Sequence, residues 1–315
     1  MTKSEKRGWM VAAVVLAALF LFSCAGVFWG EKETVICQVA VIARGRDDLE
    51  YENFRKGMDQ AAREFDVDVH FLTLYEENDW DDQKRLVEQE VQDGADAVIV
   101  DAVWADPVGE RFRAISPGTP TIVIRQQVEA DYPIFGICAD YEAAGRTLGT
   151  QVASEIDGER PVWLVCRGTE FGSVSQVLDS LLASFLETSI TPKIWDQSKD
   201  GDLETFFSQT AGERPCVIAL DLASLWELSG RIEYPGQIAL YGIGSTTAIL
   251  NRIDSGLIRG VMAYSAYDEG YLAVREAVWA SQGMNMENLT KLDVHYITKE
   301  QLDDRTFERM LYPMD

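Results

Sequence analysis

The sequence predicts an α/β fold of two doubly wound parallel-sheet lobes, and three observations carry that prediction. From Val35 onward, short apolar runs of five to nine residues recur along the chain. Most are continuously hydrophobic and rich in β-branched residues, as strands buried on both faces of a parallel sheet are. Amphipathic stretches of helical length separate most of them, which is the rhythm of a doubly wound architecture. About ten strands are too many for one compact sheet of this kind, so two lobes are expected. No Pro- or Gly-rich linker divides the chain, so it is expected to cross between the lobes more than once.

The elements follow in order. The run 36–44 (ICQVAVIAR) reads as a strand and leads into a helix ending near Phe65. The strand 67–75 precedes a helix over 80–94, and the strand 95–103 follows directly. Two further strands, 121–127 and 133–140, lead into a helix over 141–156. The second half repeats the pattern with strands at 161–168, 215–221, 237–244 and 258–265, and a helix near 174–187. The last long helix spans 266–283.

Residues 8–30 contain no charged side chain, and Lys3, Lys6 and Arg7 stand before them. About 20 apolar residues cross a bilayer as a helix, and cationic flanks stay on the cytoplasmic side. Everything from Glu31 on is therefore expected at the outer face of a membrane. Three readings of the segment remain open. Leu21, Ser23 and Cys24 resemble a bacterial lipobox, with Phe22 bulkier than the residue usual there and Cys24 lipidated after cleavage. Trp9 and Trp29 are placed like the aromatic belts of an uncleaved anchor. Cleavage after a small residue such as Ala25 would release the chain.

The net charge is −24, from 28 basic and 52 acidic residues spread along the chain. Such an excess repels nucleic acid and reads as a solvated acidic surface. Apart from Cys24, the cysteines Cys37, Cys138, Cys166 and Cys216 fall in or at the start of apolar runs without metal or redox spacing, so buried free thiols are expected. His70 and His295 are far apart and do not suggest zinc. The stretch 196–204 has acidic or hydroxyl residues at alternate positions, but Phe207 stands where a calcium loop needs its bidentate Glu, so a turn at Asp200-Gly201 is the better reading. No phosphate loop, nucleophile elbow or zinc-protease motif is present, and no nucleophile–base pair emerges; no enzyme activity, cofactor or metal is expected.

The patterns VAVIARGRDDLEYENFRKGMDQAAREF, DDQKRLVEQEVQDGADAVIV and GICADYEAAGRTLGTQVASEI resemble type I periplasmic binding proteins. That group includes ribose- and galactose-type receptors and the cores of LacI-type repressors. The late segment ALYGIGSTTAILNRIDSGLIRGVMAYSAYDEGYLAV is similar to the family's "GFD" strand and "PYEMGYLAV" ending, through Tyr267 and Gly270 to Val274. The resemblance implies two lobes joined by three crossovers that close on a ligand. By position, the first lobe would be 35–138 plus 265–288, and the second 139–264 plus 289–315. It also implies delivery to an ABC-type permease, with a ligand-sensing role through a histidine kinase or chemoreceptor as the alternative.

The resemblance places the ligand residues at strand ends. In the first lobe these are Arg44, Asp47, Asp48 and Tyr51, then Asp101 and Trp104, then Arg125 and Gln126. In the second they are Phe171, Ser173 and Ser175, then Asp221, with Tyr264 on the hinge side. Sugar receptors carry an Asp–Arg pair where this chain has Arg125–Gln126. Gly244 replaces the Asp of "GFD", and Tyr264 a common Gln. A sugar-like ligand is expected, held between the ring faces of Tyr51 and Phe171 with Arg125 donating to its oxygens. On that reading Arg125→Ala weakens binding and leaves the ligand-free protein equally stable.

Overall fold

The computed structural model describes residues 36–45, 48–103, 108–128, 133–156, 160–186 and 188–313, together with positions 9, 14–16 and 20. The chain runs β1 (Cys37–Ala43), α1 (Asp48–Phe65), β2 (Val67–Thr73), α2 (Trp80–Asp93), β3 (Ala97–Asp101), α3 (Val108–Ile115), β4 (Thr121–Ile124) and β5 (Ile134–Ala139). It continues with α4 (Tyr141–Glu155), β6 (Val162–Cys166), α5 (Gly172–Phe185), β7 (Lys193–Asp196), α6 (Gln197–Asp200) and α7 (Leu203–Gln209). Next come β8 (Cys216–Ala219), α8 (Leu222–Gly230), β9 (Ala239–Ile243), α9 (Thr247–Asp254) and β10 (Gly260–Ala263). The chain closes with α10 (Ala266–Ser281), β11 (Leu289–Leu292), β12 (His295–Thr298) and α11 (Arg305–Leu311).

Two six-stranded sheets result, in the orders β11-β5-β4-β3-β1-β2 and β12-β10-β9-β8-β6-β7. Every pairing is parallel except β10 with β12. The chain passes between the sheets three times: after β5, after β10 and after β11. Because β11 pairs with β5, the last passage falls between Leu292 and His295 rather than at 288–289. The strands that the sequence did not announce, β7, β11 and β12, each hold four residues and lie at sheet edges. Edge strands bury less of their length and keep polar residues, so their hydrophobic signal is weak.

Each central strand is hydrophobic on both sides because both faces are covered. Along β1, Val39, Val41 and Ala43 pack with Phe54, Met58 and Ala61 of α1 and with Ala273, Val274 and Ala277 of α10. Ile42 packs on the opposite face with Val87 and Phe112. The second sheet has the same two layers, one with Leu148 and Leu181 and the other with Phe206, Leu225 and Ile249. Helix boundaries follow local chemistry. The Asp79 carboxylate accepts from the amides of Asp81 and Asp82 to start α2, and Gly94 at φ 103 ends it. In the stretch weighed as a calcium loop, Asp196 and Asp202 cap α6 and α7, with Gly201 at φ 109 between them. Among the described residues no cluster suited to a metal is present.

Cys37, Cys138, Cys166 and Cys216 are free. Burial pushes the last three thiols up to about 12, so they remain protonated and inert. Residues 8–30, apart from isolated positions, lie outside the described residues, as do Cys24, Asp47 and Trp104. Among the described residues no helix is long and apolar enough to cross a membrane.

The tightest packing in the first lobe is the contact of α1 with α10. A Cβ on Gly57 would lie 1.9 Å from the Tyr267 carbonyl oxygen, and one on Gly270 would lie 2.0 Å from that of Phe54. Backbone cannot yield as a flexible side chain can. Gly57→Ala or Gly270→Ala should therefore lower the unfolding free energy by about 3 kcal/mol, at the upper end of ordinary overpacking costs. Gly230→Ala is the control, since a Cβ there meets nothing within 4 Å. In urea denaturation it should differ from the parent by no more than about 0.5 kcal/mol.

Candidate functional site

The carboxyl ends of the central strands of both sheets converge on one cleft, the place where α/β folds bind ligands. Its floor belongs to the first lobe. Arg125 follows β4 with a left-handed backbone, φ 63, rare for a residue with a side chain. Its guanidinium lies inside the protein, only 6% exposed. There Nη1 donates to Asp101 Oδ2 at 3.0 Å and Nε to Glu269 Oε2 at 3.3 Å. The guanidinium carbon also lies 4.4 Å from the centre of the Tyr51 ring. Tyr51 donates its hydroxyl proton to the same Asp101 oxygen at 2.6 Å and accepts from the Arg44 amide at 3.2 Å. Arg44 Nε stands 3.8 Å from that carboxylate. Two cations and two carboxylates therefore balance in a nearly dry floor.

The roof comes from the second lobe. Asp221 Oδ1 accepts from the Ser224 amide at 2.7 Å, capping α8. Its Oδ2 accepts from the Arg167 amide and the Ser224 hydroxyl, both at 2.9 Å. Burial nevertheless raises the Asp221 pKa, because these hydrogen bonds only partly offset lost solvation. The loop after β6 is also tied by Asp196, which accepts from the Thr169 amide at 3.2 Å and the Thr169 hydroxyl at 2.8 Å. Burial opposes the charge on Asp196, but hydrogen bonds from Lys199, Ser198 and Thr169 outweigh it and hold the pKa well below the usual carboxylate range.

Between floor and roof lies a cavity of about 90 Å³. Arg44, Asn53 and Arg125 line it from the first lobe, and Ser173, Asp221, Ser245 and Thr246 from the second. Tyr141 and Tyr264 close it on the hinge side. Tyr141 stays neutral, since burial carries its pKa well above the ordinary value. A smaller hollow of about 50 Å³ adjoins at the rim, where Phe171 and Arg167 appear. The two lobes touch around it. Arg44 lies 5.4 Å from the Phe171 ring centre. Arg167 spans to Glu77 at 3.4 Å while holding Glu227 at 2.7 Å. Gly172 stands so near Gln126 that a Cβ there would lie 2.6 Å from Oε1.

This geometry, a ligand-sized space between two parallel-sheet lobes with three crossovers, is matched by the comparisons. Residues 39–284 match the family model described as periplasmic binding protein domain. The chain belongs to the periplasmic binding protein family. Solved structures similar to it are solute-binding proteins rather than enzymes. One is a carbohydrate transporter solute-binding protein from Agrobacterium radiobacter in complex with D-arabinose, with TM-score 0.77, 17% identity, 89% of this chain and 100% of that one covered. Another is GanP, a glucose-galactose binding protein from Geobacillus stearothermophilus, with TM-score 0.74, 14% identity and coverages of 85% and 99%. A third, from Agrobacterium vitis, has bound D-fucose, with TM-score 0.76, 16% identity and coverages of 87% and 100%.

Within this periplasmic binding protein fold, the sequence-derived candidates separate. Arg44, Arg125, Ser173, Asp221 and Tyr264 line the cavity, and Phe171 lies at its rim. Tyr51 does not: its ring is 2% exposed, faced by Arg125 and edged by Phe54 and Phe71. Asp101, 2% exposed, is likewise part of the support below the cavity. Gln126 meets the Ala102 carbonyl and Gly172 instead of the cavity. Ser175 turns back to the Gly172 carbonyl at 3.0 Å. Asp48 begins α1. Gly244 has φ 125, and a Cβ there would come within 2.7 Å of Leu222, so the family's Asp has no room. Sequence reasoning missed Asn53, Tyr141, Ser245 and Thr246. The last three follow β5 and β9 directly, so applying the strand-end rule to each neighbouring residue would have found them.

The floor corrects one expectation. Arg125 is not a spare donor on a stable scaffold, because Asp101 and Glu269 are buried against it. Removing one partner of a buried ion pair strands the other charges and destabilises by about 3–5 kcal/mol. Arg125→Ala should therefore lower the melting temperature of the ligand-free protein markedly. A melting curve matching the parent would show that the network carries no stability.

Proposed function

We propose that this protein captures a small hydroxylated, sugar-like ligand by closure of its two lobes, at the outer face of the membrane, and passes it to an ABC-type permease. The cross-lobe cavity carries the reading: each lobe supplies polar groups, so a ligand seated there makes contacts with both only when the lobes are together. The ligands of similar solved proteins, D-arabinose and D-fucose among them, support the chemical class. The replaced positions Arg125, Gly244 and Tyr264 favour a second reading, in which the closed form signals to a histidine kinase or chemoreceptor. Permease genes beside this one support transport, whereas kinase and response-regulator genes support sensing.

A thermal melt of the full-length protein in detergent, across sugars, polyols and nucleosides, tests the binding step. A ligand at 100 times its Kd adds about 2.7 kcal/mol to the folded state, which should raise Tm by several degrees. A panel that leaves Tm unmoved at millimolar concentration counts against the reading.

The tether follows from Leu21 to Cys24 and from the apolar stretch around them. We expect Cys24 to carry a diacylglyceryl adduct, which Cys24→Ala abolishes while unprocessed precursor accumulates. Intact mass spectrometry decides it: wild-type protein that retains Met1 or Thr2 is an uncleaved anchor and not a lipoprotein.

A further inference from the structure

We infer that Arg167 and Glu77 form a clasp across the mouth of the cleft, which holds the two lobes together before any ligand arrives. The clasp rests on the reading that the lobes open and close, and it is independent of which molecule they capture.

Each end of the clasp is aimed from within its own lobe. Arg167 follows β6, and its backbone amide donates to Asp221 Oδ2 at 2.9 Å, which anchors the main chain to the roof whatever the side chain does. Its Nη2 donates to Glu227 Oε1 of α8 at 2.7 Å. That bond leaves Nη1 at 3.4 Å from both carboxylate oxygens of Glu77 in the first lobe. Glu77 sits in the loop between β2 and α2, and its neighbours fix that loop. The Asn78 amide donates to the Arg44 carbonyl at 3.2 Å from a left-handed backbone, φ 62, and Asp79 caps α2. The Glu77 stem lies close to Gly45, where a Cβ would come within 3.1 Å of Cγ. Of these contacts, the pair of Nη1 with Glu77 crosses the cleft, so opening the lobes breaks it and keeps the rest.

Charge sets the direction of the effect. Burial works against the charge on Arg167, but the hydrogen bond to Glu227 and the fields of Glu77, Glu227 and Asp221 outweigh it. Without the guanidinium, Glu77 of the first lobe would share the mouth with Glu227 and Asp221 of the second, and like charges would push the lobes apart. Arg167, Glu77 and Glu227 are half-exposed, so salt screens the attraction and its worth is a few-fold in the closed-to-open ratio, not orders of magnitude. A neighbouring contact crosses the mouth in the other direction, with Arg44 of the first lobe 5.4 Å from the Phe171 ring of the second. All four side chains line the rim hollow.

Double electron–electron resonance on the full-length protein in detergent, without ligand, tests the clasp. Spin labels on a ketone-bearing amino acid, placed at the exposed positions Gln92 and Glu213, spare the native thiols. These positions precede β3 and β8, at the ends of the lobes away from the cleft, so their separation changes as the lobes open. At about 0.01 M salt, Glu77→Gln should lower the closed-to-open ratio about two- to fivefold. Arg167→Met should lower it further, because it removes the attraction and leaves the repulsion. In the Arg167→Met background, Glu77→Gln should then act in the opposite sense and close the lobes. Wild type and Glu77→Gln should converge at about 1 M salt, where the screening length falls to about 3 Å. Equal ratios for wild type and Glu77→Gln at low salt overturn the clasp and leave lobe closure intact. A Glu77→Gln change that fails to close the Arg167→Met protein does the same and makes Arg167 a structural residue. One unchanging distance in every variant at every salt overturns the lobe-closure reading and the clasp with it.

Discussion

A guanidinium group buried under the cleft, Arg125 between Asp101 and Glu269, is the constraint on which the first lobe depends. An isolated charge cannot be taken out of water without several kcal/mol of penalty, so the two carboxylates must arrive with hydrogen-bonding geometry. They come from far apart in the chain. Asp101 ends β3, Glu269 lies in the first turns of α10, and Tyr51 of α1 covers one guanidinium face. Glu269 reaches Arg125 only because α10 lies almost backbone to backbone on α1, at Gly57 and Gly270. Glycine at the helix crossing and charge beneath the cleft are thus one design.

The second lobe solves the same positional problem without a buried cation. Its cleft edge is made of hydroxyls, one carboxylate and backbone amides at helix starts, with Asp221 and Asp196 holding the β6 loop from two sides. The asymmetry has a functional meaning under the proposed reading. The first lobe presents a rigid, charge-balanced platform, and the second brings adaptable hydroxyl groups down on it. Cross-lobe contacts through Arg44, Gln126 and Arg167 are modest, mostly at the half-exposed rim. A surface ion pair such as Arg167–Glu77 contributes about 1 kcal/mol or less.

The candidate site was partly legible before the structure. Arg44, Ser173, Asp221 and Tyr264 line the cavity because strand ends point into it whatever the side chains are. Tyr51 and Asp101 were legible as residues of the site region but not as its foundations. An aromatic and an acid at strand ends look the same in sequence whether they face a ligand or a neighbouring arginine. The deciding fact is the location of Arg125, whose buried guanidinium pairs with Asp101 and faces the Tyr51 ring. Gly244 is a comparable case, since the space its missing side chain would need is filled by Leu222, a residue on another element.

The sequence by itself determined the layering of this protein. Doubly covered strands need unbroken apolar runs, helices on their faces need a 3.6-residue stripe, and both patterns are local. The edge strands β7, β11 and β12 escaped because four half-polar residues carry too little of that signal. Only the tertiary structure decided which strand ends meet across the cleft, how much room they leave, and which charges neutralise one another there. Those outcomes depend on distances between residues as remote as Arg125 and Glu269, and Coulomb energy and excluded volume act through space, not along the chain.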